Sequence, residues 1–216
     1  MKIEKIKNRG VLFTLKTAFD WDMNIYLILG NKYNYIIDTG LGALNMAPVI
    51  EYINNDTKPV IVINTHYHWD HIWGNNSFKE CTIISHKLCR EIIEENWKDM
   101  LERYGSHRMG EVEMCLPNLV FEKEVYFPDD KIRIIYTPGH SVDSISVIDE
   151  DEKVIHVGDN IGDTLEEIVP DIDCEKDIYI DTLLKYRDID FDTCVSGHNV
   201  IVGKDIINKI MQLLNI

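Results

Sequence analysis

The chain has 216 residues, 45% of them hydrophobic, a size and composition that suit one domain with a sizeable core. Its 22 Lys and Arg face 37 Asp and Glu, a formal charge of −15. That balance argues against a nucleic-acid backbone as partner, because phosphate binding needs a basic surface. No apolar run approaches the roughly 20 residues that span a bilayer. The opening Met1-Lys2-Ile3-Glu4-Lys5-Ile6-Lys7 alternates where a secretory leader would run apolar, so no membrane partner and a cytoplasmic location are expected.

The first third reads as antiparallel β-structure. Ile3 to Lys7 and Val11 to Lys16 alternate, and the apolar runs Ile25 to Leu29 and Tyr33 to Ile37 flank the turn Gly30-Asn31-Lys32. Between the second and third runs, Thr17-Ala18-Phe19-Asp20-Trp21-Asp22 is either a flap over a substrate or a loop folded onto the core. The fourth run ends in Ile37-Asp38-Thr39-Gly40, where Asp38 either orients a ligand histidine or closes an Asx turn. Asn45 to Asn54 reads as a helix, with Pro48 tolerated in its first turn.

Val60 to Ile63 follows, a short β-branched run entered from Pro59, and reads as a buried strand. It ends in Thr65-His66-Tyr67-His68-Trp69-Asp70-His71. Four of those seven residues can bind a metal, packed as His-x-His-x-Asp-His. With only 8 histidines in the chain, a metal site explains the cluster better than a solvated polar turn does. Adjacent Asp70 and His71 cannot share one face of a strand, so the ligands belong to a strand end that turns.

Cys81 to Ser85 reads as a strand and Lys87 to Tyr104 as a helix, with Leu88, Ile92, Ile93, Trp97, Met100, Leu101 and Tyr104 in one stripe. The stretch at about 86–120, rich in methionine and aromatic residues, either caps a cleft or packs on the domain or a second subunit. Strands are expected at Val125 to Phe127 and Ile132 to Tyr136, the latter running into Thr137-Pro138-Gly139-His140. A hairpin, Ser144 to Asp149 and Lys153 to Val157, leads into Gly158-Asp159. After an irregular stretch from Gly162 to Asp173 come a helix (Cys174 to Tyr186), a strand (Thr193 to Val195) ending in Ser196-Gly197-His198, and a last helix (Lys204 to Leu214). His140, Asp159 and His198 therefore each follow a strand beside a glycine, and with the first motif they make seven candidate ligands. His86, His107 and His156 lack that setting and read as surface, core or flap residues. The five cysteines include no Cys-x-x-Cys pair and read as reduced core fillers, a thiol ligand or nucleophile being the lesser reading.

The ordered set His66-x-His68-x-Asp70-His71, Thr-Pro-Gly-His140, Gly-Asp159 and Ser-Gly-His198, with Ile-Asp38-Thr-Gly before it, resembles the metallo-β-lactamase-fold hydrolases. The resemblance runs from about Asn24 to His198. It implies an α/β fold, a four-layer αβ/βα sandwich; the length fits one domain over 1–216, with the helical insert at about 86–120 expected as its cap. It also implies two metals, one on His66, His68 and His140 and the other on Asp70, His71 and His198, with Asp159 bridging. Enzymes that hydrolyse β-lactams lack an aspartate at the place of Asp159 and are usually secreted. Flavodiiron proteins have Glu where His68 stands and carry a flavin domain, and the nucleases of the fold carry RNA-handling elements not found here. The ligand set looks most like glyoxalase II and its relatives, although the chain ends 18 residues after His198, without their glutathione-binding helical region. Lactonases of the fold share the ligands too. Trp73 stands where the family usually has a small residue and is expected to reshape the pocket floor.

What the resemblance implies chemically is a metal-bridging hydroxide attacking the carbonyl of a small ester, thioester or lactone, with Asp70 as the acid/base residue. Histidine and carboxylate ligands suit Zn²⁺, with Fe or Mn as alternatives. Two other classes stay open: an oxidoreductase like the mononuclear iron persulfide dioxygenases, and a binding or signalling protein that keeps the site without catalysis. The walls of a small-molecule pocket are expected at Phe19, Trp21, Trp73 and parts of 97–116. Substrate and oligomeric state are not legible in the sequence.

Overall fold

The structure is a computed structural model that describes residues 1–17 and 21–216. The chain forms β1 (Lys2–Ile6), β2 (Gly10–Lys16), β3 (Asp22–Leu29), β4 (Asn34–Ile37), α1 (Ala43–Ile53), β5 (Val60–Ile63), α2 (Trp69–Ile72), β6 (Thr82–His86) and α3 (Lys87–Tyr104). It continues as β7 (Leu119–Phe121), β8 (Glu124–Phe127), β9 (Ile132–Tyr136), β10 (Ile145–Asp149), β11 (Val154–His156), α4 (Lys176–Asp188), β12 (Thr193–Val195), β13 (Val202–Gly203) and α5 (Asp205–Leu213).

The strands build two sheets. One runs β1 to β7 in chain order; the other runs β13-β12-β11-β10-β9-β8. The antiparallel character expected of the first third holds through β4, after which β5, β6 and β7 add in parallel. The connections explain the switch. Short turns join β1 to β2 and β3 to β4, whereas helical connections precede each parallel strand, α1 before β5, α2 and the 3₁₀ turn Asn75–Phe78 before β6, and α3 before β7, and so return it in the same direction. β7 and β13 are not legible as strands in the sequence: each is a two- or three-residue edge with no room for a pattern.

Period-two side-chain alternation decides the layers. On β3, Tyr26 and Ile28 face the opposing sheet while Ile25 and Leu27 face α1; on β5, Ile61 and Ile63 point inward and Val62 outward. The inward set meets Ile132, Ile134, Ile145, Val147 and Val154 of the second sheet. The outer face of that sheet is covered by Tyr179, Leu183 and Tyr186 of α4 and Ile206, Ile207 and Ile210 of α5. The result is a four-layer αβ/βα sandwich. Each fully buried aliphatic side chain in it contributes about 1.5–3 kcal/mol, and the strands so packed end at the edge that carries the candidate ligands.

α3 covers a separate patch. Its buried Cys89, Ile93 and Met100 pack on Ile72 and Trp73, the floor beneath the histidine motif. Among the described residues, no helix is long and apolar enough to cross a membrane.

Candidate metal centre

All seven candidate ligands leave the same edge of the sandwich. His66 and His68 follow β5, His140 follows β9, Asp159 follows β11 and His198 follows β12. The motif is not a plain loop: Asp70 and His71 lie on the single turn α2, and His68 occupies its N-cap in extended conformation. A helical turn rotates successive side chains by about 100°, which is how two adjacent residues come to face one small volume.

Three sets of ligand atoms each gather within 4.8 Å: His66, His68 and His140; His66, His71 and Asp159; and Asp70, His71 and His198. In the first, His68 Nδ1 lies 3.0 Å from His66 Nε2 and 3.0 Å from His140 Nε2. In the last, His198 Nε2 is 3.3 Å from His71 Nε2 and 3.3 Å from Asp70 Oδ2. Asp159 Oδ2 stands between them, 3.1 Å from His71, 3.2 Å from His198, 3.6 Å from His66 and 3.9 Å from His140. Donor atoms about 2.0–2.1 Å from one tetrahedral ion are themselves roughly 3.3 Å apart. The spacing and the histidine–carboxylate set are therefore compatible with a metal site.

Hydrogen bonds on the far side of each ring fix which nitrogen faces inward. His140 Nδ1–H donates to the Asp171 carbonyl (3.0 Å) and His198 Nδ1–H to the Asp22 carbonyl (2.9 Å). His71 Nδ1–H donates to Asp38 Oδ2 (2.8 Å). The Thr65 hydroxyl gives its proton to Asp38 Oδ2 (2.7 Å) and so accepts from His66 Nδ1–H (3.0 Å). Four Nε2 lone pairs are thereby aimed into one space already lined by Asp70 and Asp159, a set that asks for positive charge.

The ionisation equilibria express the same demand. Burial opposes a charge on His71, yet Asp159, Asp70 and Asp38 hold its pKa well above the usual imidazole value; burial likewise opposes His198, which Asp159 and Asp70 raise. Burial disfavours ionised Asp159, but His71 and His198 carry its carboxyl well below the usual range. Asp70 is lowered by the same two rings against its own desolvation. His68 is pushed down to about 4 by burial and by His140, and His66 falls for the same reason beside His71.

Asp38 resolves to the orienting role. Fully buried at a left-handed φ of 61°, it accepts Thr65 N–H on one oxygen and the Thr65 hydroxyl and His71 on the other. Gly197 is needed for close approach: a Cβ there would lie 2.2 Å from Asp159 Oδ1 and 2.6 Å from His71 Cε1.

Several positioning residues are not legible in the sequence. Asn24 Nδ2–H donates to the carbonyls of Ser196 (3.0 Å) and Asn199 (2.8 Å) and so brackets the His198 loop. Asn160 accepts His140 N–H (2.9 Å) and donates to the Thr137 carbonyl (2.7 Å), pinning the His140 loop. Asp143, whose carboxyl burial pushes up to about 6, accepts from the Ser141 hydroxyl (2.7 Å) next to His140. A polar residue within or beside a strand end was the only sequence signal for any of them.

The remaining histidines take other parts. His86 accepts Leu88 N–H at the start of α3 and stacks on Tyr136, with ring centroids 4.1 Å apart. His156 is buried and stacks on Tyr26, and His107 lies in a short 3₁₀ turn after α3.

Of the expected pocket walls, Trp21 sits edge-on to His198, centroids 4.4 Å apart, and borders a cavity of about 260 Å³ with it. A second cavity, about 350 Å³, is bounded by His68 and by Asp99, Met100, Arg103 and Tyr104 of α3. Trp73 is a correction: at 0% exposure it lies under the floor, wedged against Trp69 and α3, rather than on it. Phe19 falls outside the described residues.

Comparison with known proteins agrees with this geometry. A profile of the metallo-beta-lactamase superfamily matches residues 20–198. A probable metallo-hydrolase of Methanocaldococcus jannaschii is 31% identical over 172 residues, covering 79% of this chain and 68% of the relative. An acyl-coenzyme A thioesterase of Gallus gallus is 26% identical over 160 residues, covering 65% of this chain and 58% of the relative, so this chain spans little more than half of that enzyme's length. Among solved structures, the DIM-1 metallo-beta-lactamase exposed to ceftazidime superposes with a TM-score of 0.80 over 99% of this chain and 96% of that one, at 15% identity, a likeness of fold.

Proposed function

Because this chain belongs to the metallo-beta-lactamase superfamily, we propose that it is a dinuclear metal-dependent hydrolase of a small ester, thioester or lactone carbonyl. The observation that carries the reading is the placement of Asp159 Oδ2 within 3.1–3.9 Å of four imidazole nitrogens drawn from both ends of the site. His66, His68 and His140 would hold one ion and Asp70, His71 and His198 the other, with Asp159 available to both. The second triad is gathered within the same 4.8 Å as the first, which favours two ions over the single iron of an oxidoreductase. Zinc is the ion we assign, since imidazole and carboxylate donors, the only kinds in these groups among the described residues, suit it, as they also suit Fe or Mn.

Ions of this kind supply an acidified water, with a pKa near 7 in place of 15.7, and an electrophile that polarises a carbonyl. The protein's own residues do the rest. Asp70, ionised at neutral pH through His71 and His198, accepts the proton of the attacking water and returns it to the leaving group. Asp38 locks His71 in its working tautomer, and the Asp22 and Asp171 carbonyls do the same for His198 and His140. No serine or cysteine nucleophile is required. Trp21 beside His198 and the face of α3 beside His68 form the walls that hold the substrate and thin the water around it, so that α3 acts as the cap of a single 1–216 domain.

The test is a panel of simple esters, thioesters and lactones offered to the zinc-equilibrated chain. The expected result is thioester turnover that a chelator abolishes and added zinc restores. No turnover across the panel at full metal occupancy would replace this reading with a binding or signalling role.

A further inference from the structure

The cavity of about 350 Å³ beside His68 is walled on one side by the motif and on the other by Asn96, Asp99, Arg103 and Tyr104 of α3. Residues 96, 99 and 103 recur at helical spacing and so share the face of α3 that looks across to the motif. That face is held in place: the Tyr104 ring stacks on Trp69 with centroids 5.0 Å apart and planes within 9°, joining the end of α3 to the turn that carries Asp70.

Arg103 stands out in this setting. Arg9 and Arg133 are paired with carboxylates, Arg187 faces Asp188, and Arg90 donates to the Pro117 carbonyl. Arg108 shares with Arg103 the lack of a partner among the described residues, but it borders a cavity that contains none of the candidate ligands, whereas Arg103 borders the one that contains His68. Arg103 has no hydrogen bond or ion pair among the described residues, although it lines a cavity in a chain of charge −15. A guanidinium presents a planar fork that matches a carboxylate or phosphate. The charge around it chooses between them. Asp99 lies one turn away on the same face, and among the described residues no second Lys or Arg lines the cavity. A polyphosphate would meet net negative charge there, whereas a single carboxylate pairs with Arg103 and leaves Asp99 and Asn96 to take N–H donors. The volume falls at the small end of ligand cavities, about 300–1,000 Å³.

We infer that this cavity receives the arm of the substrate remote from the reacting carbonyl, and that Arg103 binds a carboxylate on that arm. The inference rests on the hydrolase reading above and narrows its substrates to small thioesters or esters whose leaving arm carries a carboxylate. It separates this chain from a carrier with a nucleotide handle.

The experiment uses one acyl group on three thiols: N-acetylcysteine, which carries the carboxylate, N-acetylcysteamine, which lacks it, and coenzyme A. The zinc-loaded chain is expected to prefer the N-acetylcysteine thioester to the N-acetylcysteamine thioester by about tenfold in kcat/KM, the scale of one charge-assisted hydrogen-bonded contact. In Arg103→Gln the ratio falls to about one. Lys98→Gln, on the same helix but outside the cavity lining, keeps the wild-type ratio. A wild-type ratio near one, a ratio that Arg103→Gln leaves intact, or a preference for the coenzyme A thioester that Arg103→Gln removes would each overturn the inference, the last by assigning Arg103 to phosphate.

Calorimetric binding of N-acetyl-S-methylcysteine against its amide reads the same contact without turnover. Tighter binding of the carboxylate in the wild type, equalised in Arg103→Gln, is expected, and equal binding in the wild type overturns the inference. If the carboxylate preference is present and no thioester is hydrolysed, the hydrolase reading fails and the assignment of the cavity stands.

Discussion

Asp70→Asn lowers kcat/KM for thioester hydrolysis by about 10²–10⁴-fold, the range that a positioned acid/base group contributes. The substitution keeps the volume of the side chain and removes its charge. Asp70 Oδ2 lies 3.3 Å from His198 Nε2 and 3.6 Å from His71 Nε2. Two losses are therefore combined: the proton acceptor at the reacting carbonyl, and one anionic donor from the triad that it forms with those rings. They separate on measurement. Metal content at saturating zinc reports the donor, and the rate of the fully loaded variant reports the acid/base role. A loaded Asp70→Asn chain with the wild-type rate would remove Asp70 from the mechanism.

Trp73→Ala destabilises the fold by about 3–5 kcal/mol, the usual cost of deleting a large buried aromatic side chain. Trp73 has no exposed surface and packs with Ile72, Cys89, Ile93 and Met100. Its ring lies 5.0 Å from that of Trp69, at 52°. Removing it undercuts both α3 and the turn that carries Asp70 and His71, so metal affinity falls together with stability. Trp73→Phe is expected to be much milder, because the indole N–H has no hydrogen-bond partner to lose. Equilibrium urea unfolding at unchanged m-value provides the comparison. A loss below about 1 kcal/mol for Trp73→Ala would mean that the floor of the site is held by something else.

The Trp73 result bears on what a sequence can disclose. Its place in the chain, two residues past Asp70-His71, suggested a pocket lining. Only the packing of α3 puts it underneath. The seven candidate ligands could be singled out because histidine is scarce in this chain and because each group of them follows an apolar run beside a turn, and the fold brings them to one edge. α3 was legible to its bounds, Lys87–Tyr104, because an eighteen-residue stripe is long enough to show its period.

The residues that hold the ligands in place were not legible. Asn24 acts on Ser196, 172 positions away, and Asn160 acts on His140 across 20. An asparagine in a strand or a turn looks the same whether or not it supports such a loop. Arg103 was hidden for a related reason. Arg103 is exposed, as a charged residue on an amphipathic helix is expected to be, and only the fold shows that the water it faces fills a cavity shared with His68.

The central claim is that His66, His68, Asp70, His71, His140, Asp159 and His198 together hold two ions. Elemental analysis of the chain, equilibrated with zinc and then freed of unbound metal, tests it most directly when paired with His198→Ala. The account predicts two zinc ions per wild-type chain and one in His198→Ala, whose remaining ion stays on His66, His68 and His140. One ion or none in the wild type, or two in the variant, would contradict it.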